Sequence, residues 1–300
     1  MSDSIFRKDG TAQGVAKQRF IESLAAPNKR IIYDPYAAAF VVGSSVIKLI
    51  GHKLSLWLTQ KLAPGFHEHL MARTRFIDEL IEKSTANGML QYVILGAGYD
   101  LRAHRLQLPS ALHIFEVDQP EMQRRKRSKL PKDIHIPLYL SYVGADFNHQ
   151  SLKSQLLKAG FDPKKPSVFT LEGVSQYITK AALRATLEDL ADLTKHTKST
   201  FYISYVDEQL FQNPEACFGK GYPNAKKMVD SITSLAAKVG EPWISLYSNK
   251  EMERLCSNYG FSVVDHKLLA DLNAAYFTPV GRTVPEAHLC NLEHFLVFKT

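Results

Sequence analysis

Three hundred residues, 45% hydrophobic and 22% charged, describe an ordinary globular chain long enough for one large α/β domain, and exclude the compositions of disordered or fibrous proteins. The formal net charge of +7 comes from lysines and arginines spread over the chain, apart from one cluster at 124–129 that reads as a solvated helix face rather than a nucleic-acid stripe. Cys217, Cys256 and Cys290 are far apart and odd in number, so they indicate neither a disulfide framework nor a zinc site, and a reducing cytoplasm is the expected location.

The polar start of the chain has no apolar core of signal-peptide length, and 37–50 is broken by Gly43, Ser44, Ser45 and Lys48 and too short to span a bilayer. Residues 11–85 read as helices. Val15, Arg19, Phe20 and Leu24 share one face; Val46, Ile47, Ile50, Leu54, Trp57, Leu58 and Leu62 form another, ending near Pro64 and Gly65. That second face is expected to pack as a lid on the core; the alternative is a membrane-surface helix flanked by Lys48, His52, Lys53 and Lys61. His67, Glu68 and His69 lack a third ligand at sensible spacing and read as a polar helix turn, not a metal site. The helix over 66–83 points Leu70, Ile77, Leu80 and Ile81 inward and carries Arg73.

At 92–95 an apolar run reads as a buried strand, turning at Gly96-Ala97-Gly98 toward a helix with free N-terminal amides. A second strand over 112–117 carries Glu116 and ends at Asp118, about twenty residues past the glycines, where such folds grip a ribose hydroxyl. The ligand follows from a missing glycine. A dinucleotide fingerprint would need its third glycine at Leu101, and Asp100 places negative charge where a pyrophosphate would lie. S-adenosylmethionine, with an adenosine, a sulfonium and no phosphate, fits better than a nicotinamide cofactor, which stays as the alternative. Residues 138–143 form a third strand closing on Asp146 and Phe147, an acceptor and a flat cover suited to adenine, although Asp146 would equally cap a helix beginning near His149. Further strands are expected at 167–171, ending in Glu172, and at 201–206, 261–266 and 294–298, with helices over 179–193 and 251–258. Residues 207–250, rich in proline and aromatics, read as an insertion. The alternation gives a parallel sheet, with Gly96, Asp118, Asp146 and Glu172 at its C-terminal edge.

The blocks at 93–106, 115–120 and 171–178 resemble the signatures of the leucine carboxyl methyltransferase-like proteins, and the likeness runs from Gly14 through Asp34-Pro35-Tyr36 and Arg73-Thr74-Arg75 to about residue 190. Leu101 departs from it, where the family has a small hydroxyl residue. The resemblance implies a class I, Rossmann-like methyltransferase fold: a single domain with an N-terminal helical cap over 1–85 and a core over 86–300 carrying the 207–250 insertion. Its sheet would be mostly parallel and seven-stranded, with helices on both faces. By the same resemblance Arg73 would hold the methionine carboxylate of S-adenosylmethionine, Gly96 and Gly98 its backbone side, Asp118 the ribose, Asp146 and Phe147 the adenine, and Glu172 the ammonium. Arg105 and Tyr177 would orient the acceptor, and no metal is expected. A carboxylate is ionised near neutral pH and needs no general base, so the expected product is a methyl ester on a small molecule or peptide carboxylate. Methylation of a hydroxyl or a modified RNA base is the alternative. An NADP-dependent oxidoreductase, with Arg124, Arg125 or Arg127 on the 2′-phosphate, is opposed by Asp118.

Overall fold

The structure, a computed structural model, describes residues 10–300, which gather into two compact units. One contains the described residues up to Phe76 with Asp207–Trp243 and Lys267–Glu293; the other contains Ile77–Val206, Ile244–His266 and His294–Thr300.

The second unit is built on a sheet of strands β1 (Gln91–Leu95), β2 (His113–Asp118), β3 (Leu140–Gly144), β4 (Ser167–Leu171), β5 (Ser199–Val206), β6 (Ser262–Lys267) and β7 (Glu293–Lys299), whose last and first residues, Lys267 and Glu293, count with the first unit. Their order is β3-β2-β1-β4-β5-β7-β6. The first five are parallel, with Leu95 beside both Val117 and Leu171, and Asp118 beside Gly144. From β1 the order runs outward through β2 and β3, and from β4 through β5 on the other side, so the strand order reverses between β1 and β4, where ligands of such sheets sit at the C-terminal ends. Strands β1, β4 and β5 are buried along their whole length, which is why they read as continuous apolar runs.

One sheet face sends Val93, Phe115, Phe169, Phe201 and Ile203 into a core closed by Leu183, Leu187 and Leu190 of the helix Lys180–Thr194. Phe169 and Phe201 stack at 5.0 Å, and Phe201 and Phe298 at 4.9 Å. The helix is capped by Thr179, whose hydroxyl accepts the Ala182 N–H at 3.1 Å. The third strand starts two residues later than expected, because Leu138 lies exposed ahead of it and the Tyr139 ring stacks on His113 at 4.5 Å.

The first unit is tied by buried charge. Glu22 accepts from the Ile31 N–H at 2.8 Å and from Arg282 Nη1 at 2.7 and 2.9 Å, and lies 2.9 Å from His67 Nε2. The other His67 nitrogen lies 2.9 Å from Gln18 Oε1, and His69 Nε2 lies 2.8 Å from Glu293. Both histidines of the 67–69 turn thus meet acidic side chains.

The helix Ser44–Leu62 departs from expectation in its direction. Its polar side is seated, with Ser55 the one buried residue and Gln60 donating to Glu68 at 2.8 Å, while Leu49 is 89% and Trp57 52% exposed. The expected inward packing of its apolar face is therefore not what the structure has: of that face only Ile47 is half-buried, and the rest is exposed.

Burial alone would raise the Glu22 carboxyl, but His67, Arg282 and the Ile31 N–H outweigh it and hold it at about 2, against an ordinary 4.5. The folded carboxyl is the stronger acid, so the unfolded chain binds more protons between these values. The resulting stability, of order 3 kcal/mol, is complete above pH 4.5 and lost as pH falls toward 2. Urea unfolding of Glu22→Gln beside the parent checks this: the parent's advantage at pH 6 should shrink steadily below pH 4.5.

Candidate functional site

After β1 the chain turns through Gly96 and Gly98 at φ of 69° and 44°, a left-handed region that glycine enters without cost. The Gly96 and Ala97 N–H groups donate to Val117 O at 2.8 and 3.0 Å. Asp118 accepts the Gly98 N–H at 2.6 Å and that of Gln119 at 2.7 Å, so the carboxylate at the end of β2 is pinned to the turn at the end of β1. A Cβ on Gly96 would come within 2.3 Å of Val174 Cγ2, in the segment following β4.

No long helix follows the glycines. Arg102–Arg105 forms a single turn whose first N–H is taken by Asp100 Oδ1 at 2.7 Å, which replaces the expected helix N-terminus with free amides. Leu101 is buried, filling the place where the family has a small residue. The turn's function is to carry Arg102 into the interior. Its Nε donates to Asp78 at 2.8 Å, and its Nη1 donates to Asp100 at 2.5 Å and to Glu172 at 2.6 Å. Arg105 forks onto both Asp78 oxygens at 2.7 and 2.6 Å. Burial disfavours the charge on Arg102, but Asp100, Glu172 and Asp78 outweigh it and push its pKa above the usual arginine range. Beneath the turn, Lys126 Nζ donates to Glu116 Oε2 at 2.7 Å and to the Asp100 carbonyl. Burial raises the Glu116 carboxyl, with Lys126 opposing, and its Oε1 is buried with no hydrogen-bond partner among the described residues.

The remaining expected residues lie as follows. Glu172, past β4, is half-buried on Arg102. Asp146, past β3, accepts the Asn148 N–H at 2.9 Å and lies 3.0 Å from His149 Nδ1, a hydrogen bond that lowers its pKa. It closes a turn and caps no helix: the next helix is Leu152–Lys158, capped by Ser151. Phe147 packs against the core cluster, and Tyr177 is half-buried, its N–H on Val174 O at 2.9 Å. His104 is buried, with Nδ1 2.8 Å from His135 O. Arg73, in the first unit, is buried and donates to Glu293 at 2.9 and 2.7 Å. The structure therefore joins Gly96, Gly98 and Asp118 in one backbone-anchored turn, and joins Glu172 and Arg105 through the Arg102–Asp78 network. Sequence reading missed Asp78, Arg102 and Lys126. Asp78 had a signal: it shares the buried stripe Leu70, Thr74, Ile77, Ile81 of the helix Phe66–Ala86, where a lone acid calls for a cation.

The donor set at this edge fits an adenosyl sulfonium. Asp78, Asp100, Asp118 and Glu172 present more carboxylate than Arg102 and Arg105 neutralise, which suits hydroxyls and a cationic centre and repels phosphate. Residues 12–191 match the family model of leucine carboxyl methyltransferase. The chain belongs to that family. Among the relatives of this family member, YktD of Bacillus subtilis is 32% identical over 75% of the chain and 70% of its own length, and is provisionally named an S-adenosyl-L-methionine-dependent methyltransferase. A Mycobacteroides abscessus protein of the same provisional name is 36% identical over 57% of the chain and 55% of its own length. Two solved structures share the fold: a DUF574 family protein from Streptomyces avermitilis (TM-score 0.58, 12% identity, 95% of this chain, 97% of that one) and a protein from Thermobifida fusca described as a methyltransferase (0.53, 16%, 88% and 92%). The chain is a methyltransferase by family, and nothing in these matches supports the oxidoreductase alternative.

Removing Asp78 takes the Nε partner from Arg102 and the forked partner from Arg105 in a buried setting. Asp78→Ala should cost about 3–5 kcal/mol in urea unfolding, while Asp146→Ala, at a solvated turn, should cost about 1 kcal/mol or less. Equal costs would mean that the Arg102 cluster is not desolvated.

Proposed function

We propose that this leucine carboxyl methyltransferase family member transfers a methyl group from S-adenosylmethionine to a carboxylate of a small molecule or peptide, forming a methyl ester. The observation that carries the reading is the carboxylate-rich edge around the glycine turn, organised on Arg102. The donor is the one named for the relatives, and when bound it supplies a sulfonium methyl open to in-line displacement. The chain's own residues bind and orient. In this reading Asp118, held by the Gly98 and Gln119 amides, accepts from the ribose hydroxyls, and Glu172 meets the ammonium while Arg102 fixes its rotamer. Asp146 accepts from the adenine amine and Phe147 covers the ring. Arg105 and Tyr177 orient the acceptor.

The setting of His104 agrees with a carboxylate acceptor. His104, in the matching blocks, is buried with Nδ1 on a carbonyl, and burial lowers its pKa. An alcohol or phenol would call for a positioned base, whereas a carboxylate arrives ionised.

Two measurements test this reading. Asp118→Ala should remain folded and bind S-adenosylmethionine roughly tenfold or more weakly by calorimetric titration, since a charge-assisted contact is lost; unchanged affinity removes Asp118 from the site. With methyl-labelled cofactor and a cell extract, mild alkali should release the transferred label as volatile methanol, because esters hydrolyse where methyl ethers and N-methyl groups do not. Label retained on the acceptor would overturn the carboxylate and leave methyl transfer standing.

A further inference from the structure

We infer that the helix Ser44–Leu62 is a docking surface for an anionic lipid bilayer, held at the interface by its outward apolar face. Val46 and Leu49 before Gly51, and Leu54, Trp57, Leu58 and Leu62 after it, are all exposed, Leu62 at 84%. On each side of the break at Gly51 these side chains lie exposed together, and exposed apolar surface of this extent marks an interaction site. The seated side carries Ser55, Thr59 and Gln60 beside half-buried Ile47 and Leu56, while the other apolar side chains face outward.

Charge selects the occupant. The helix has no Asp or Glu; its charged residues are Lys48, Lys53 and Lys61, all exposed, and the Lys61 ammonium lies 5.8 Å from the Trp57 ring centroid. Exposed apolar side chains flanked by lysine, with a half-exposed tryptophan, match the boundary between acyl chains and acidic headgroups. A second copy of the chain fits poorly, because a twofold contact on this helix would set lysine near its counterpart with no acid to answer it. Insertion across the bilayer is not implied: no helix among the described residues is long and apolar enough to cross one. Gly51 breaks the helix at φ 76° and ψ 176°, leaving two arms that settle separately on a surface.

The test uses the whole chain with vesicles of phosphatidylcholine alone or mixed with phosphatidylglycerol. Sedimentation should show binding to the anionic vesicles at least tenfold above the neutral ones, weakened as salt rises from about 0.05 to 0.5 M. In a Trp243→Phe background, which leaves Trp57 as the single tryptophan, emission should shift to the blue on anionic vesicles alone. Leu49→Asp, at a side chain 89% exposed, should weaken binding and leave thermal unfolding unchanged, and adding Leu54→Asp and Leu58→Asp should abolish binding in a chain that circular dichroism shows still folded. The proposal is overturned by no binding, by equal binding to neutral vesicles, or by binding that survives the triple variant. A dimeric mass in solution that the triple variant makes monomeric would assign the face to a second copy, and Trp57 shielded from a soluble quencher without vesicles would assign it to the chain itself. Either outcome ends the lipid assignment.

Discussion

The Arg102 guanidinium is the fixed point of the second unit. It draws together Asp78 from a helix, Asp100 from the glycine loop and Glu172 from the end of β4. Burial disfavours the charge on Arg102, and these three carboxylates outweigh it. The cluster is therefore cooperative by necessity, and it ties the C-terminal ends of β1 and β4, the two strands between which the topology opens. A crevice at a switch point is a general property of doubly wound sheets. What is particular to this chain is that charge, rather than a long helix, fixes the loops around it.

The first unit uses the same principle with different groups. Glu22 is reached by a histidine, an arginine and a backbone amide from three separate segments, and Glu293 by His69 and Arg73. Carboxylates are the hubs here, and the cations arrive from outside.

Much of this was legible in the sequence for stateable reasons. The central strands are buried on both faces, so hydrophobic runs at 92–95 and 167–171 located them. The glycine pair and Asp118 stood out because two residues without β-carbons after a strand, with an acid about twenty residues on, form a pattern of nucleoside-binding turns. Arg102 and Asp78 stayed hidden because their significance lies in a contact between residues 24 apart, and a charge looks like surface until its partner is known. The outward face of Ser44–Leu62 was hidden for the opposite reason. Periodicity gives the existence of an apolar face but not its direction, and the usual presumption that such a face turns inward failed here. Lys126 shows the same ambiguity within a single basic run: its neighbours Arg124 and Arg127 are exposed while it is buried on Glu116.

The strand order has a consequence for the chain while it is being made. β7 lies between β5 and β6 but follows both in sequence. Until it emerges from the ribosome, the long apolar edge of β5 has no permanent neighbour on that side, and β6 has nothing to pair with. A nascent chain would therefore carry an open, sticky sheet edge through the synthesis of every residue between β5 and β7, an interval in which chaperone binding or mispairing competes with folding.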